Sequence, residues 1–351
     1  MKIQTLQSLR FLFMMLIVLF HIVGKDFEFG GDCGVSFFFM LSGLVLSYSY
    51  GQKVIEGQFH TGTFLKRQLV KFYPLHLLTF LIMILLEARL ERYYDWYQLL
   101  PSIFLVQSWF PFDKIIHVGN ASSWFLCDLL FFYVIFSFLF KIFSRTEVKR
   151  LMIWMALLLA VYILFVFSVP LRNVNNVVCL MPIMRIMDFA IGILVFRFCS
   201  SAYGDHLFRY LQSLSSSQLT IVELLAFGLV FLSYFLYGCL PACLRCASLF
   251  WLVLPPLLIL YVKAEELKGM VTSLLHMSPL IWLGGICMEI YLTHWPVMRI
   301  FYSMIHSVGV DGYLPQSGII MMALLVFIAT ASLTHFFIVE PVRHRLSAYI
   351  K

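Results

Sequence analysis

Long apolar runs separated by short polar loops dominate this chain. A helix needs about 20 mostly apolar residues to cross a bilayer. Such runs fall at about 6–25, 33–51, 68–88, 121–142, 151–170, 181–199, 219–238, 246–263, 279–304 and 317–339. The pattern predicts an all-α polytopic membrane protein with about ten transmembrane helices. One more apolar segment, Leu99 to Trp109, is too short to span and reads as interfacial or re-entrant. No small-residue cleavage site follows the apolar run Phe11 to Val23, so the opening reads as a retained span and not as a signal peptide.

Composition agrees with the pattern. Of 351 residues, 62% are hydrophobic and only 12% charged, with a mean hydropathy of +0.91. Soluble domains carry roughly 25% charged residues, so a surface this poor in charge must face lipid. No polar block is long enough for a soluble domain, and residues 1–351 read as one membrane-embedded domain with nothing appended. The net charge of +7 lies in short loops and forms no continuous patch, which argues against a nucleic-acid partner.

Charge also orients the chain. One set of alternate loops holds Lys2, Arg10, Lys53, Lys66, Arg67, Lys71, Lys141, Arg145, Lys149, Arg150, Arg197, Arg209, Lys263, Lys268, Arg343, Arg345 and Lys351, which is 17 of the 25 basic residues. The other set holds the remaining 8 together with Asp26, Glu28, Asp32, Glu87, Glu91, Asp95, Asp113 and Asp311. The positive-inside rule makes the first set cytoplasmic, and an even number of spans places both termini there.

Ionisable residues inside spans are costly and point to function or to buried partners. Arg10 and His21 in the first span are 11 positions apart. That spacing leaves them about 20° from alignment on a helix and about 16 Å apart along it. Arg10 lies near the cytoplasmic surface, where it reads as a snorkelling anchor or a ligand-binding cation, and His21 lies deep in the membrane. Lys66, Arg67 and Lys71 open the third span and would either anchor it or hold a phosphorylated ligand. Asp128 in the fourth span lies close to Ser123 and Trp124. Arg185 and Asp188 have the spacing to neutralise each other. In the ninth span Tyr291 and His294 share a face, whereas Glu289 points elsewhere, toward another helix.

Eight cysteines are present. Most sit in apolar runs, where the residue packs as a small hydrophobe. Cys239, Cys243 and Cys246 cluster at an outer loop, where a disulfide can form. No fourth ligand at matching spacing stands near them, and no metal is expected. No G-x-S-x-G, Walker A or G-x-G-x-x-G pattern occurs. Gly30-Gly31, in an acidic outer segment, reads as a turn. The sequon at Asn120 is of a kind that arises by chance.

Taken in order, several segments resemble the acyltransferase 3 family of membrane enzymes, which move acyl groups onto cell-surface glycans and other acceptors. Leu9-Arg10 through His21 has the R-x10-H pattern, and Gly34-Val35-Ser36-Phe37-Phe38-Phe39-Met40-Leu41-Ser42-Gly43 is similar to G-V-x-x-F-F-x-L-S-G. Phe64-Leu65-Lys66-Arg67 with Lys71-Phe72-Tyr73-Pro74 resembles the basic third-helix motif, and Ser123-Trp124-Phe125-Leu126 the W-x-L segment. Gly285, Tyr291, Leu292 and His294 match the late G…Y-L-x-H element, and Glu340-Pro341 with Arg343 and Arg345 the ending. Cys287-Met288 depart from the usual Ser-Tyr, and Asp128 stands where many members carry Glu.

The resemblance implies a multi-pass protein of the bacterial inner or plasma membrane that takes its acyl group, most often acetyl, from cytoplasmic acyl-CoA. Acyl-CoA is then a co-substrate, and no bound cofactor is implied. The acceptor class is a hydroxyl of a carbohydrate or lipid-linked glycan. Arg10, Lys66, Arg67 and Lys71 would meet the donor's phosphates. His21 would be a general base or a nucleophile forming an acyl-imidazole, and Ser42 or Ser123 would serve as oxyanion donor. A non-enzymatic transporter or flippase of lipid-linked glycans is the alternative, with a structural or sensory subunit as a third reading. No internal symmetry of the kind common in transporters is visible.

Overall fold

A computed structural model describes residues 3–264, 267–309 and 315–347. Lys2, Asp311 and Lys351 of the charge pattern lie outside them. The described residues contain helices and turns and no strand. In order, the α-helices are α1 (Gln4–Val23), α2 (Glu28–Ile55), α3 (Thr61–Ala88), α4 (Trp96–Ile103), α5 (Asp113–Ile116), α6 (Trp124–Arg145), α7 (Val148–Ser168) and α8 (Pro182–Cys199). They continue as α9 (Ala202–Ser213), α10 (Ser216–Tyr237), α11 (Ala242–Arg245), α12 (Pro255–Val262), α13 (Met270–Leu275), α14 (Ser278–Gly285), α15 (Cys287–Val308), α16 (Gln316–Thr334) and α17 (Glu340–Ser347). Two π-helical turns, Asn175–Cys179 and His335–Val339, precede α8 and follow α16.

Six helical stretches among the described residues are long and apolar enough to cross a membrane: Gln4–Ile55, Thr61–Ala88, Ala121–Arg145, Val148–Ser168, Ser216–Tyr237 and Gln316–Leu346. The first holds both α1 and α2, parted by a 3₁₀ turn at Gly24–Phe27 where Gly24 has a φ of 79°. The expected segments 181–199, 246–263 and 279–304 are not among the six. Helix α8 carries Arg185, Asp188 and Arg197 in 18 residues. The segment around 250 breaks into a 3₁₀ turn (Phe250–Val253) and the eight-residue α12, with Pro255-Pro256 at the joint. The 279–304 run divides at Ile286 into α14 and α15. The expected interfacial segment forms α4 and a 3₁₀ turn at Gln107–Trp109.

Helix α2 is the centre of the packing, flanked by α1 and α8. Its contact with α8 is set by a pair of glycines. A Cβ at Gly43 would overlap the Phe189 carbonyl, and a Cβ at Gly192 the Met40 carbonyl. Small residues at such a crossing let two backbones meet. Gly30 and Gly31 correct the expectation of a turn. Both lie inside α2, buried, where side chains would strike the Leu16 carbonyl and the rings of Phe20 and Phe27. They serve the α1–α2 contact. A second, smaller apolar cluster gathers α7, the first π-turn, α8 and α11 around Cys179 and Cys246.

Candidate active site

One face of α1 lines a string of three cavities. The first, about 380 Å³, is walled by Arg10, Ser42, Gln68, Lys71, Glu289 and Arg343 among others. The second, about 70 Å³, shares Arg10, Ser42, Tyr133 and Met288 with it and extends to Ile17 and Tyr291. The third, about 270 Å³, takes up Ile17 and Tyr291 again and ends at His21, Trp124 and Trp295. Shared walls make the three cavities neighbours, with Arg10 at one end of the row and His21 at the other.

The His21 end is an aromatic chamber. The His21 Nδ1 lies 2.9 Å from the Ile17 carbonyl and 3.2 Å from His294 Nε2. His294 Nδ1 is 3.2 Å from the Ile290 carbonyl. A carbonyl only accepts, so both Nδ1 atoms carry hydrogen. His294 Nε2 is then an acceptor for the His21 N–H, and His21 Nε2 keeps its lone pair. His21 is half-buried, and its partner His294 is fully buried. The Trp295 ring stands edge-on to His21 at 5.3 Å. The start of α6 is laced to α15, which fixes the opposite wall. The Tyr291 hydroxyl donates to the Ser122 carbonyl, and Asn120 Nδ2 donates to the Leu292 carbonyl at 2.8 Å. The sequon asparagine is therefore fully buried and engaged.

Buried charge surrounds the chamber. Arg185 donates to the Cys246 carbonyl at 2.7 Å and to Ser36 Oγ at 2.9 Å, pairs with Asp188 at 3.1 Å and lies over the Phe39 ring. The Arg185–Asp188 spacing in the sequence thus corresponds to an ion pair of 1% and 0% exposure. Cys179, on the chamber wall, is disulfide-bonded to Cys246. Asp32 accepts from the Tyr237 hydroxyl at 2.6 Å. His117 lines the chamber from a loop and is exposed.

At the Arg10 end the groups are more exposed. Arg10 Nη1 donates to Gln7 Oε1 at 3.1 Å, and Lys71 Nζ donates to Gln68 Oε1 at 3.2 Å. Arg343 Nη2 donates to Glu340 Oε1 at 2.5 Å. His335 bridges Glu340, at 3.5 Å, to Glu289, at 2.6 Å. The helix that Glu289 reaches for is therefore the one that continues from α16.

Of the residues singled out in the sequence, Arg10, Ser42, Lys71, Glu289, Tyr291, Trp124 and His21 line the string of cavities, and His294 stands directly behind His21. Four do not line it. Lys66 and Arg67 are exposed on the outside of α3. Ser123 is buried and accepts from Gln107 Nε2 at 3.2 Å. Asp128 is fully buried, with Ser108 as a polar neighbour. The Ser42 hydroxyl donates to its own helix at the Phe38 carbonyl, 2.8 Å away. Sequence reasoning did not single out Trp295, Asp32, His117, Asn175 or Gln68 as site residues. Trp295 directly follows His294, and that adjacency was the one available signal.

An acyltransferase domain profile matches residues 3–337. The acyltransferase MdmB of Streptomyces mycarofaciens is 34% identical over 183 residues, covering 47% of this chain and 46% of that protein. Protein 2 in the picA locus of Rhizobium radiobacter is 45% identical over 49 residues, covering 14% and 26%. The chain spans less than half the length of either curated relative. No solved structure matches. With the domain profile running through nearly its whole length, the chain belongs to the acyltransferase 3 family.

Proposed function

We propose that the protein is an integral membrane O-acyltransferase. It moves an acyl group, acetyl in the first instance, from cytoplasmic acyl-CoA to a hydroxyl of a carbohydrate or lipid-linked glycan. The single observation that carries this reading is the row of adjoining cavities from the Arg10–Lys71–Arg343 cations to the His21–His294 pair. Donor phosphates meet the cations by charge-assisted hydrogen bonds. The pantetheine arm follows α1, and the thioester comes to rest in the aromatic chamber, where the acceptor enters.

There His21 Nε2 takes the proton of the acceptor hydroxyl as its oxygen attacks the thioester carbonyl. The C–O bond forms, the C–S bond breaks, and His21 returns the proton to the departing thiolate. The Ile17 carbonyl and His294 Nε2 both accept from His21 Nδ1–H. They orient the ring and favour the imidazolium that forms in transit. His294 is on this account a positioning residue. The family match and the name of the relative MdmB support the acyl-transfer class.

The same reading includes ten crossings, with α8, the Phe250–Val262 segment and α14–α15 completing the six stretches above, and both termini in the cytoplasm. It also treats residues 1–351 as one membrane domain, seated in a bacterial inner or plasma membrane. Reporter fusions after Arg150 are then cytoplasmic, and fusions after Asp113 are on the outer side. The decisive experiment feeds labelled acetyl-CoA to membranes containing the protein. Label on a glycan in wild type, lost in His21→Gln, supports transfer. Glycan translocation without label would instead make the protein a flippase.

A further inference from the structure

A fourth hollow adjoins the donor cavity. It is an open groove of about 540 Å³ between α1, α14 and α17, lined by Gln7, Trp282, Gly285, His335, Glu340 and Arg343 among others. Its volume is within the range of small-molecule sites. Arg343 and Gly285 line both this groove and the donor cavity.

The two adjacent glycines at this boundary differ. A Cβ at Gly284 would overlap the Gln7 backbone, so that glycine lets α14 touch α1. A Cβ at Gly285 would meet no atom within 4 Å. Packing does not require glycine there; what the missing side chain leaves is open space between two hollows.

Arg343 is fixed at the same boundary. The Glu289–His335–Glu340 relay runs from the donor cavity to its guanidinium. A guanidinium has five N–H donors, so the one engaged by Glu340 leaves others for an anion. On the groove wall, Trp282 is exposed and stacked on Phe336, with ring centres 6.2 Å apart and planes 19° apart. A flat aromatic and a guanidinium lining one groove suit a flat base joined to phosphate.

We infer that this groove seats the phosphorylated purine-nucleotide end of the thioester donor. Arg343 meets phosphate, Trp282 carries the base, and the arm passes Gly285 into the donor cavity toward Arg10. The inference rests on the acyl-CoA reading above and assigns that donor a head-group site.

The test is binding of CoA to the purified full-length protein in detergent, with adenosine 3′,5′-bisphosphate as competitor and the smaller thioester acetyl-pantetheine as alternative donor. Arg343→Gln and Trp282→Ala should each weaken CoA about tenfold or more, and Trp282→Ala should leave turnover of acetyl-pantetheine near wild type. Gly285→Val should weaken CoA and slow transfer from it. CoA bound equally by wild type and all three variants would overturn the groove assignment and leave the donor reading intact. Absence of CoA binding to wild type would overturn both. Displacement of CoA by phosphatidylglycerol but not by adenosine 3′,5′-bisphosphate would make the groove a lipid head-group site and also end the proposal.

Discussion

The two ends of the cavity string are built on opposite principles. Around Arg10, Lys71 and Arg343 the charges are partly or largely exposed, and each is held by one neighbouring amide or carboxylate. Around His21 the charges are enclosed. Arg185 alone engages Asp188, Ser36, the Cys246 carbonyl and a phenyl ring, and a disulfide stands beside it. Water screens the first group, so its members act nearly independently and suit capture of a mobile anion. The second group is interlocked, which suits holding a reacting atom in place. On the function proposed above, charge in this protein has two uses, attraction at one end and rigidity at the other.

Substitutions can sharpen or break that contrast. The largest effect is expected at His21. His21→Gln should lower transfer by roughly 10²–10⁴-fold while CoA binding persists, because the amide keeps a hydrogen bond but is no base at neutral pH. An active Gln variant would remove His21 from the chemistry.

Next comes Arg185→Leu, which strands the buried Asp188. A loss of about 3–5 kcal/mol of stability is expected, read as a fall in folded yield and in resistance to detergent denaturation. Retained stability would mean that the enclosed end is no more interlocked than the open one. At the open end Lys71→Ala should raise the KM for acyl-CoA about 10–150-fold, the worth of a charge-assisted hydrogen bond of ~1.5–3 kcal/mol, with kcat little changed. The smallest effect belongs to Lys66→Ala, within about twofold, since surface charges of this kind contribute little. A large KM effect there would show that capture extends beyond the cavity wall.

Much of this was legible in the sequence. Hydropathy located α1, α2, α3, α6, α7, α10 and α16, because a lipid-facing helix must advertise its length. Three further segments that hydropathy marked as spans are charged or broken in the structure, and the apolar residues of one of them face protein. Trp251, Leu254, Leu257 and Tyr261 are buried at 0% exposure, and a helix so enclosed can be broken into short turns without meeting lipid. The Arg10–His21 register was readable because both lie on one helix. The His21–His294 contact was not, since 273 positions separate the two. Lys66 and Arg67 look equivalent to Lys71 in the sequence, and only the turn of α3 separates them. Gly30 and Gly31 resembled a turn because the backbone and rings that forbid larger side chains belong to α1 and to Phe27. The pairing of Cys179 with Cys246 likewise needed geometry that spacing does not hold.

The glycine crossing of α2 and α8 has a consequence for how the protein comes into being. Ser36 and Arg185, joined across that crossing, are 149 positions apart in the chain. When α1 and α2 first enter the bilayer, α8 has not been synthesised, and His21 looks out on a wall that does not yet exist. Helices α3, α6 and α7 must be made before Gly192 can settle against Gly43. The chamber is completed only when α15 follows α8, a helix whose own charges make it a poor candidate to insert alone. An added methyl at either glycine would act on that docking step, after α1 to α7 have been made.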